Sequence, residues 1–271
     1  MVTHYALLSP LCYNPPMDNH RQKTAANGNR NLAIWLNRQV LNLSRHWFIV
    51  LNVVILIFVG LPWLAPVFMH LGWTRAGELI HLIYTTQCHQ LPQRSFFLFG
   101  DQLMYSLPQI QAAWQDTNNP LILRQFIGNE TLGWKVAWSD RMVYMYTCIL
   151  FFGAIYKLGQ RWIRPLPWWG LVLFMLPMFI DGSSHIVGEL LGNMTHSFRD
   201  QNLWLVNLTN NAFSPDFYAG DAFGSFNSWM RLITGLLFGL GVTWFLYPRM
   251  QESFGDTANR IEAKFERAGV K

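Results

Sequence analysis

The chain has 271 residues, of which 51% are hydrophobic, 15% aromatic and 13% charged, with a formal net charge of +5. A typical soluble domain is about 25% charged, so this composition excludes an ordinary soluble domain, and the 13 Trp suit a membrane protein with interfacial aromatic belts. The basic residues cluster beside apolar runs, as orientation signals do, so nucleic acid is not an expected partner.

Residues 1–30 are polar, with Pro15, Pro16 and the pair Asn27-Gly28, and read as a disordered cytoplasmic tail. Met1 to Pro16 lacks the basic region and apolar core of a signal peptide, so insertion is expected to rely on the first span. From 31 to 46, Leu32, Trp35, Leu36, Val40 and Leu43 recur at helical spacing, with Arg38, Asn42 and Arg45 on other faces. This predicts an amphipathic helix in the inner interface.

A transmembrane domain is predicted over 47–250. Span one is Trp47 to Trp73, free of Lys, Arg, Asp and Glu and longer than the roughly 20 residues needed to cross. Pro62 and Pro66 are expected to kink it, which a membrane helix tolerates when neighbours satisfy the freed carbonyls. Span two is Met142 to Leu158. Span three is Trp168 to Val187, with Asp181 and His185 near its end. Span four is Ser228 to Tyr247, with Arg231 near its start. Between spans one and two, Glu78 to Gln90 is apolar but short, and reads as an outer-leaflet or re-entrant helix. Residues 251–271 read as a cytoplasmic C-terminal helix with Ile261 and Phe265 on one face. The predicted fold class is therefore all-α, a polytopic transmembrane helix bundle of four spans plus one short helix.

The basic residues set the orientation. Arg21, Lys23, Arg30, Arg38 and Arg45 precede span one, Lys157, Arg161 and Arg164 link spans two and three, and Arg249 follows span four. The stretch from Arg75 to Arg141 holds five basic and five acidic residues, and Glu189 to Asp221 is acidic. The positive-inside rule puts the N-terminus and C-terminus in the cytoplasm and loops 74–140 and 189–226 outside. The expected location is a prokaryotic cell membrane, with the lipid bilayer as partner. Loops 103–135 and 193–226 are candidate surfaces for partners in a membrane complex.

Three stretches carry polar chemistry. The first is Cys88-His89-Gln90-Leu91-Pro92-Gln93-Arg94-Ser95. Glu78, His81 and Cys88 also fall near one helix face, and a Cys and a His one or two turns apart can share a metal or form a thiolate–imidazole pair. The competing reading is a polar helix end stopped by Pro92. The second is Asp181-Gly182-Ser183-Ser184-His185, in which two ionisable residues four apart share a face inside a span. They suit metal ligation or proton relay, and equally an ion pair from Asp181 to Arg231 or Arg141. The third is Asn227 and Arg231 with Thr234-Gly235 and Gly239-Leu240-Gly241, whose glycines allow close helix approach. Arg94 and Arg231 together can bind a phosphate or carboxylate.

Topology brings these stretches to one depth. Asp181 and His185 lie about 20–26 Å along span three from its inner end, at 1.5 Å per residue, level with Arg94, Arg141 and Arg231. A shared extracytoplasmic site is expected. Cys148 reads as a small buried residue, Cys12 as part of the tail and His196 as a loop residue. The three cysteines make no disulfide framework. Asn129, Asn193 and Asn207 begin glycosylation patterns that matter only in a secretory pathway.

At these residues the chain resembles a prokaryotic integral membrane protein family known as domain of unknown function 2085. The resemblance rests on the Cys-His-Gln-x-Pro-x-Arg-Ser signature at Cys88 to Ser95, with Phe96, Phe97, Gly100 and Gln102 after it. An Arg motif follows at Ala137 to Tyr146, then Asp181-Gly182, then Arg231-x-x-Thr234-Gly235, over roughly residues 76–250. Ser139 stands where the family usually has a cysteine, Met142 where it often has Asp or Cys, and His185 where it typically has Gln. The resemblance implies the fold and the site and brings no particular reaction. Cys88, His89, Asp181, His185 and His81 are the candidate ligands for a metal ion or small polar ligand. Arg94, Arg141 and Arg231 supply charge, and Gln90, Ser95, Asn227 and Thr234 support them. The expected roles are ligand or metal binding, or an accessory subunit of a membrane complex. The alternative is a membrane enzyme acting on a lipid-linked or phosphate-bearing substrate, with Cys88 or His89 as nucleophile or base.

Overall fold

A computed structural model describes residues 19–192 and 197–270, so Cys12, His196 and the Asn193 pattern lie outside the described residues. The fold is 70% helical with little sheet. Among the described residues, four helices are long and apolar enough to cross a membrane: α1 (Asn19–His70), α5 (Asp140–Gly159), α6 (Trp168–Gly192) and α10 (Phe226–Arg267). Shorter elements fill the connections. These are α2 (Thr74–Tyr84), β1 (Ser95–Leu98), α3 (Leu107–Ala113), α4 (Pro120–Leu123), β2 (Gly128–Asn129) and β3 (Gly133–Ser139) before α5, and α7 (Phe198–Gln201), α8 (Leu203–Leu208) and α9 (Pro215–Tyr218) before α10. The four-span helical class expected from sequence is met.

Several boundaries differ from expectation. Helix α1 starts at Asn19 and runs without a break through 31–46 into the first span, and α10 runs on through 251–267. The 11 residues of α2 span about 16 Å at 1.5 Å each, half a bilayer core. That helix ends at Tyr84, so Cys88 does not continue the face that carries Glu78 and His81.

The chain divides into two compact units, one of Met1–His46 with Gly255–Lys271 and one of Trp47–Phe254. In the first, Leu41, Ala258 and Ile261 are buried with Phe265 packed on them, and Arg45 pairs with Glu262 at 2.7 Å. That pair is exposed and contributes little. The second unit holds the spans. Val54, Leu56, Leu173 and Phe179 on them point outward, as lipid-facing positions do.

Proline chemistry fixes two contacts between elements. Pro62 has no N–H, which frees the carbonyl of Phe58 four residues earlier. The Tyr84 hydroxyl donates to that oxygen at 2.7 Å, docking α2 on α1. Pro248 likewise frees Trp244 O, and Leu166 N donates to it at 3.4 Å. Glycines set the spacing of α10. A Cβ at Gly239 would stand 2.6 Å from Cys148 Cβ, and one at Gly235 would stand 3.0 Å from Tyr144 Cβ. Helix α10 therefore packs close on α5, as the glycine pattern suggested.

The sheet was not expected. β3 lies between β1 and β2, antiparallel to both, and Ser95 is the register partner of Ser139. The strands are short and their pairs sit in the long 74–140 connection, so no periodic signal marks them. Trp138 is fully buried behind this register, edge-on to Phe58 and Tyr84 at 5.0 and 5.1 Å and stacked on Tyr146 at 5.2 Å.

Candidate functional site

The Cys88 to Ser95 stretch is shaped by Gln90, whose φ of 51° is left-handed. A residue other than glycine holds that conformation only when its surroundings over-determine it. Gln90 does have such surroundings. Its Nε2 donates to His81 O at 2.9 Å, its Oε1 meets His81 Nδ1 at 3.3 Å, and its own carbonyl accepts from Lys135 Nζ at 2.8 Å. The reversed chain lets Gln90 N donate to Cys88 Sγ at 3.4 Å. Pro92–Arg94 then form one 3₁₀ turn, and Ser95 Oγ donates to Leu91 O at 2.9 Å.

The pairing of Ser95 with Ser139 lays this stretch beside the start of α5. Ser139 N donates to Cys88 Sγ at 3.4 Å, and Ser139 Oγ lies 3.1 Å from the same sulfur. Asp140 and Arg141 follow on the first turn of α5. Lys135, fully buried on β3, also donates to Arg124 O at 3.1 Å. Burial pushes its ammonium down to about 7, with Cys88 opposing the shift and Arg124 adding to it. Burial and the Lys135 charge push His81 down to about 3, so its ring is neutral.

The arginines are held by carboxylates. Arg231 Nε donates to both oxygens of Asp140, and its Nη1 to Asp221 Oδ1 at 2.7 Å. Arg94 Nε donates to Asp221 Oδ2 at 2.7 Å. Burial works to raise the Asp221 carboxyl, but the Arg94 and Arg231 charges overcome it and hold it well below the usual range. Arg141 Nη2 donates to Asp181 Oδ2 at 2.7 Å, and Arg199 donates to Asp181 Oδ1. Arg141 passes close over Gly182, where a Cβ would stand 2.8 Å from Arg141 Nη1. His185 Nε2 lies 4.0 Å from Asp181 Oδ1 and 3.3 Å from Arg199 Nη2.

Two asparagines place Arg199 and Asp221. Asn202 has a left-handed φ of 45° and donates from Nδ2 to Arg199 O and Tyr218 O, each at 2.8 Å. Asn227 Nδ2 donates to Arg199 O at 2.7 Å and Gly220 O at 2.9 Å. The two ends of the 197–227 segment are thereby closed on each other.

A cavity of about 190 Å³ opens among these groups, lined by residues that include Cys88, His89, Gln90, Arg94, Asp140, Arg141, Gly182, His185 and Arg231. Seven expected residues thus share one pocket: Cys88, His89, Gln90, Arg94, Arg141, His185 and Arg231. Asp181 stands behind the wall as the partner of Arg141. His81 is tied to Gln90, Ser95 bonds to Leu91 O, and Asn227 fastens the loop. Thr234 bonds within its own helix, to Met230 O at 2.7 Å. The expected Asp181 ion pair forms with Arg141.

The metal expectation fares differently. Among the described residues no group of three or more His, Cys, Asp or Glu is arranged to hold a metal ion. The reason lies in the partners. Asp181 is occupied by two guanidinium groups, Cys88 Sγ by donors, and His81 by Gln90.

Asp140, Asp221, Arg199 and Lys135 escaped sequence reading. Asp140 carried one usable signal, an acidic residue in the first turn of a span. The other three sit in connections whose fold no periodicity reveals.

The model of a family described as "Predicted membrane protein (DUF2085)" matches residues 130–245. That match takes in the Arg141, Asp181 and Arg231 motifs of the sequence resemblance and begins after Ser95. An uncharacterized protein of Methanocaldococcus jannaschii is 27% identical over 152 residues, covering 53% of this chain and 76% of that protein. No solved structure matches the chain.

Proposed function

With residues 130–245 assigned to the predicted membrane protein family DUF2085, we propose that the protein is a multi-pass protein of a prokaryotic cytoplasmic membrane. Both termini lie in the cytoplasm, and the pocket at the extracytoplasmic end binds a small anionic ligand. The positive-inside distribution of Lys and Arg supports the orientation.

One observation carries the ligand. Arg94, Arg141 and Arg231 come from three separate segments and line one pocket with a single carboxylate, Asp140, while their other partners Asp181 and Asp221 do not line it. Three guanidinium groups thus face the cavity against one carboxylate. The N-cap Ser139 and the first-turn residue Arg141 of α5 line the pocket too, and a helix N-terminus adds partial positive charge. The cavity of about 190 Å³ is smaller than the roughly 300–1,000 Å³ of sites for larger organic ligands. A phosphate, sulfate or small carboxylate group suits it.

Calorimetric titration of the full-length protein in detergent with inorganic phosphate, sulfate and acetate, against chloride, tests this. Saturable binding of at least one of the three is expected, weakened about tenfold or more in Arg141→Gln and less in Arg141→Lys. Absence of saturable binding, or equal binding in wild type and Arg141→Gln, overturns the reading.

A further inference from the structure

We infer that Cys88 is the nucleophile of this pocket, for an electrophile that carries an anionic group. This rests on the anion-binding reading and extends it from binding to chemistry.

Two backbone donors converge on the sulfur. Gln90 N and Ser139 N each donate to Sγ at 3.4 Å, and Sγ itself donates to the Ser139 hydroxyl oxygen at 3.1 Å. Ser139 is also the N-cap residue of the 20-residue helix α5, and a helix N-terminus favours negative charge developing nearby. A cysteine serving only as packing needs none of these groups. Cys88 is half-buried and faces the cavity, whose wall also holds Arg94, Arg141 and Arg231. An anionic group on those arginines brings an adjacent electrophilic atom to the sulfur.

The step is a displacement. As the thiol gives its proton to solvent, the sulfur's electron pair forms a bond to the electrophilic atom, the bond to the leaving group breaks, and the pair of the broken bond departs with the leaving group. His89 is exposed and lines the same pocket, so it can give the leaving group a proton. The step needs no oxidant or reductant.

Two alkylating probes of similar size separate this from a structural cysteine. Iodoacetate carries a carboxylate and iodoacetamide does not; each leaves its carbon on sulfur and releases iodide. Alkylation at Cys88 is followed by peptide mass spectrometry on the full-length protein in detergent, with the same protein unfolded as reference. The expected iodoacetate-to-iodoacetamide rate ratio in the folded protein exceeds the unfolded ratio by about tenfold or more. Phosphate should slow the iodoacetate reaction, and Arg141→Gln should return the ratio toward the unfolded value. A folded ratio no higher than the unfolded one overturns the inference. Phosphate titration of Cys88→Ser distinguishes the two failures. If that variant binds phosphate while wild-type Cys88 shows the unfolded ratio, the nucleophile fails and the binding site stands. If neither protein binds any of the three anions, the binding reading fails and this inference fails with it.

Discussion

Arg231 donates from Nε to both carboxylate oxygens of Asp140, at 2.9 and 2.7 Å, across 91 positions of sequence. Asp140 is fully buried and Arg231 is 2% exposed, so each depends on the other. Removing one partner of a buried pair leaves an uncompensated charge, at about 3–5 kcal/mol. Arg231→Met should lose stability on that scale, measured by denaturant or thermal unfolding in detergent. Asp140→Asn in the same background should recover part of the loss. An unchanged unfolding midpoint for Arg231→Met would show that the pair does not hold α5 to α10.

Tyr84 supplies the hydrogen bond that Pro62 cannot. Tyr84→Phe should cost about 1–3 kcal/mol, because Phe58 O is then buried without a donor. In a Pro62→Ala background the helix regains its own N–H, and the same substitution should cost much less. A double-mutant cycle reads the difference. Additive effects would contradict the assignment.

Ser139 and Cys88 face each other at 3.1 Å. Ser139→Cys should therefore form an intramolecular disulfide under mild oxidation, seen as two thiols lost to labelling and regained on reduction. Both thiols remaining labelled after oxidation would mean that the side chains do not meet.

Lys135 couples stability to pH. Its folded value is about 7 against an ordinary 10.5, so between those values the unfolded chain binds more protons. Stability should rise as pH increases across that window, by at most about 1.4 kcal/mol per pH unit, and level off below about 7, where both states hold the proton. Lys135→Met should remove this slope. Denaturant unfolding of both proteins between about pH 7 and 9 checks it, and a pH-independent difference between them would sink the idea.

The four spans were legible from the residues because a membrane helix is written locally. A run of apolar residues long enough to cross has few other structures open to it. The close glycine packing of α10 was legible too, because small residues permit close helix approach wherever they recur on one face. The polar residues also announced themselves, since ionisable groups at the ends of apolar helices are costly unless paired.

What those residues do to one another was decided only in three dimensions. The register of Ser95 with Ser139 brings Cys88 to the first turn of α5, and nothing in either short strand encodes it. Gln90, read as a supporting polar residue, proved to be the clamp for His81 and Lys135. Asp181 looked equally like a metal ligand or an ion-pair partner, and the approach of Arg141 over Gly182 with Arg199 from the following loop decided for the pair. The sequence alone thus determined the membrane-spanning helices and the polar residues at one end of them, because burial in lipid constrains each helix on its own. Only the tertiary structure decided which charges pair and which face the cavity, because ion pairing and strand register depend on distances between segments far apart in the chain.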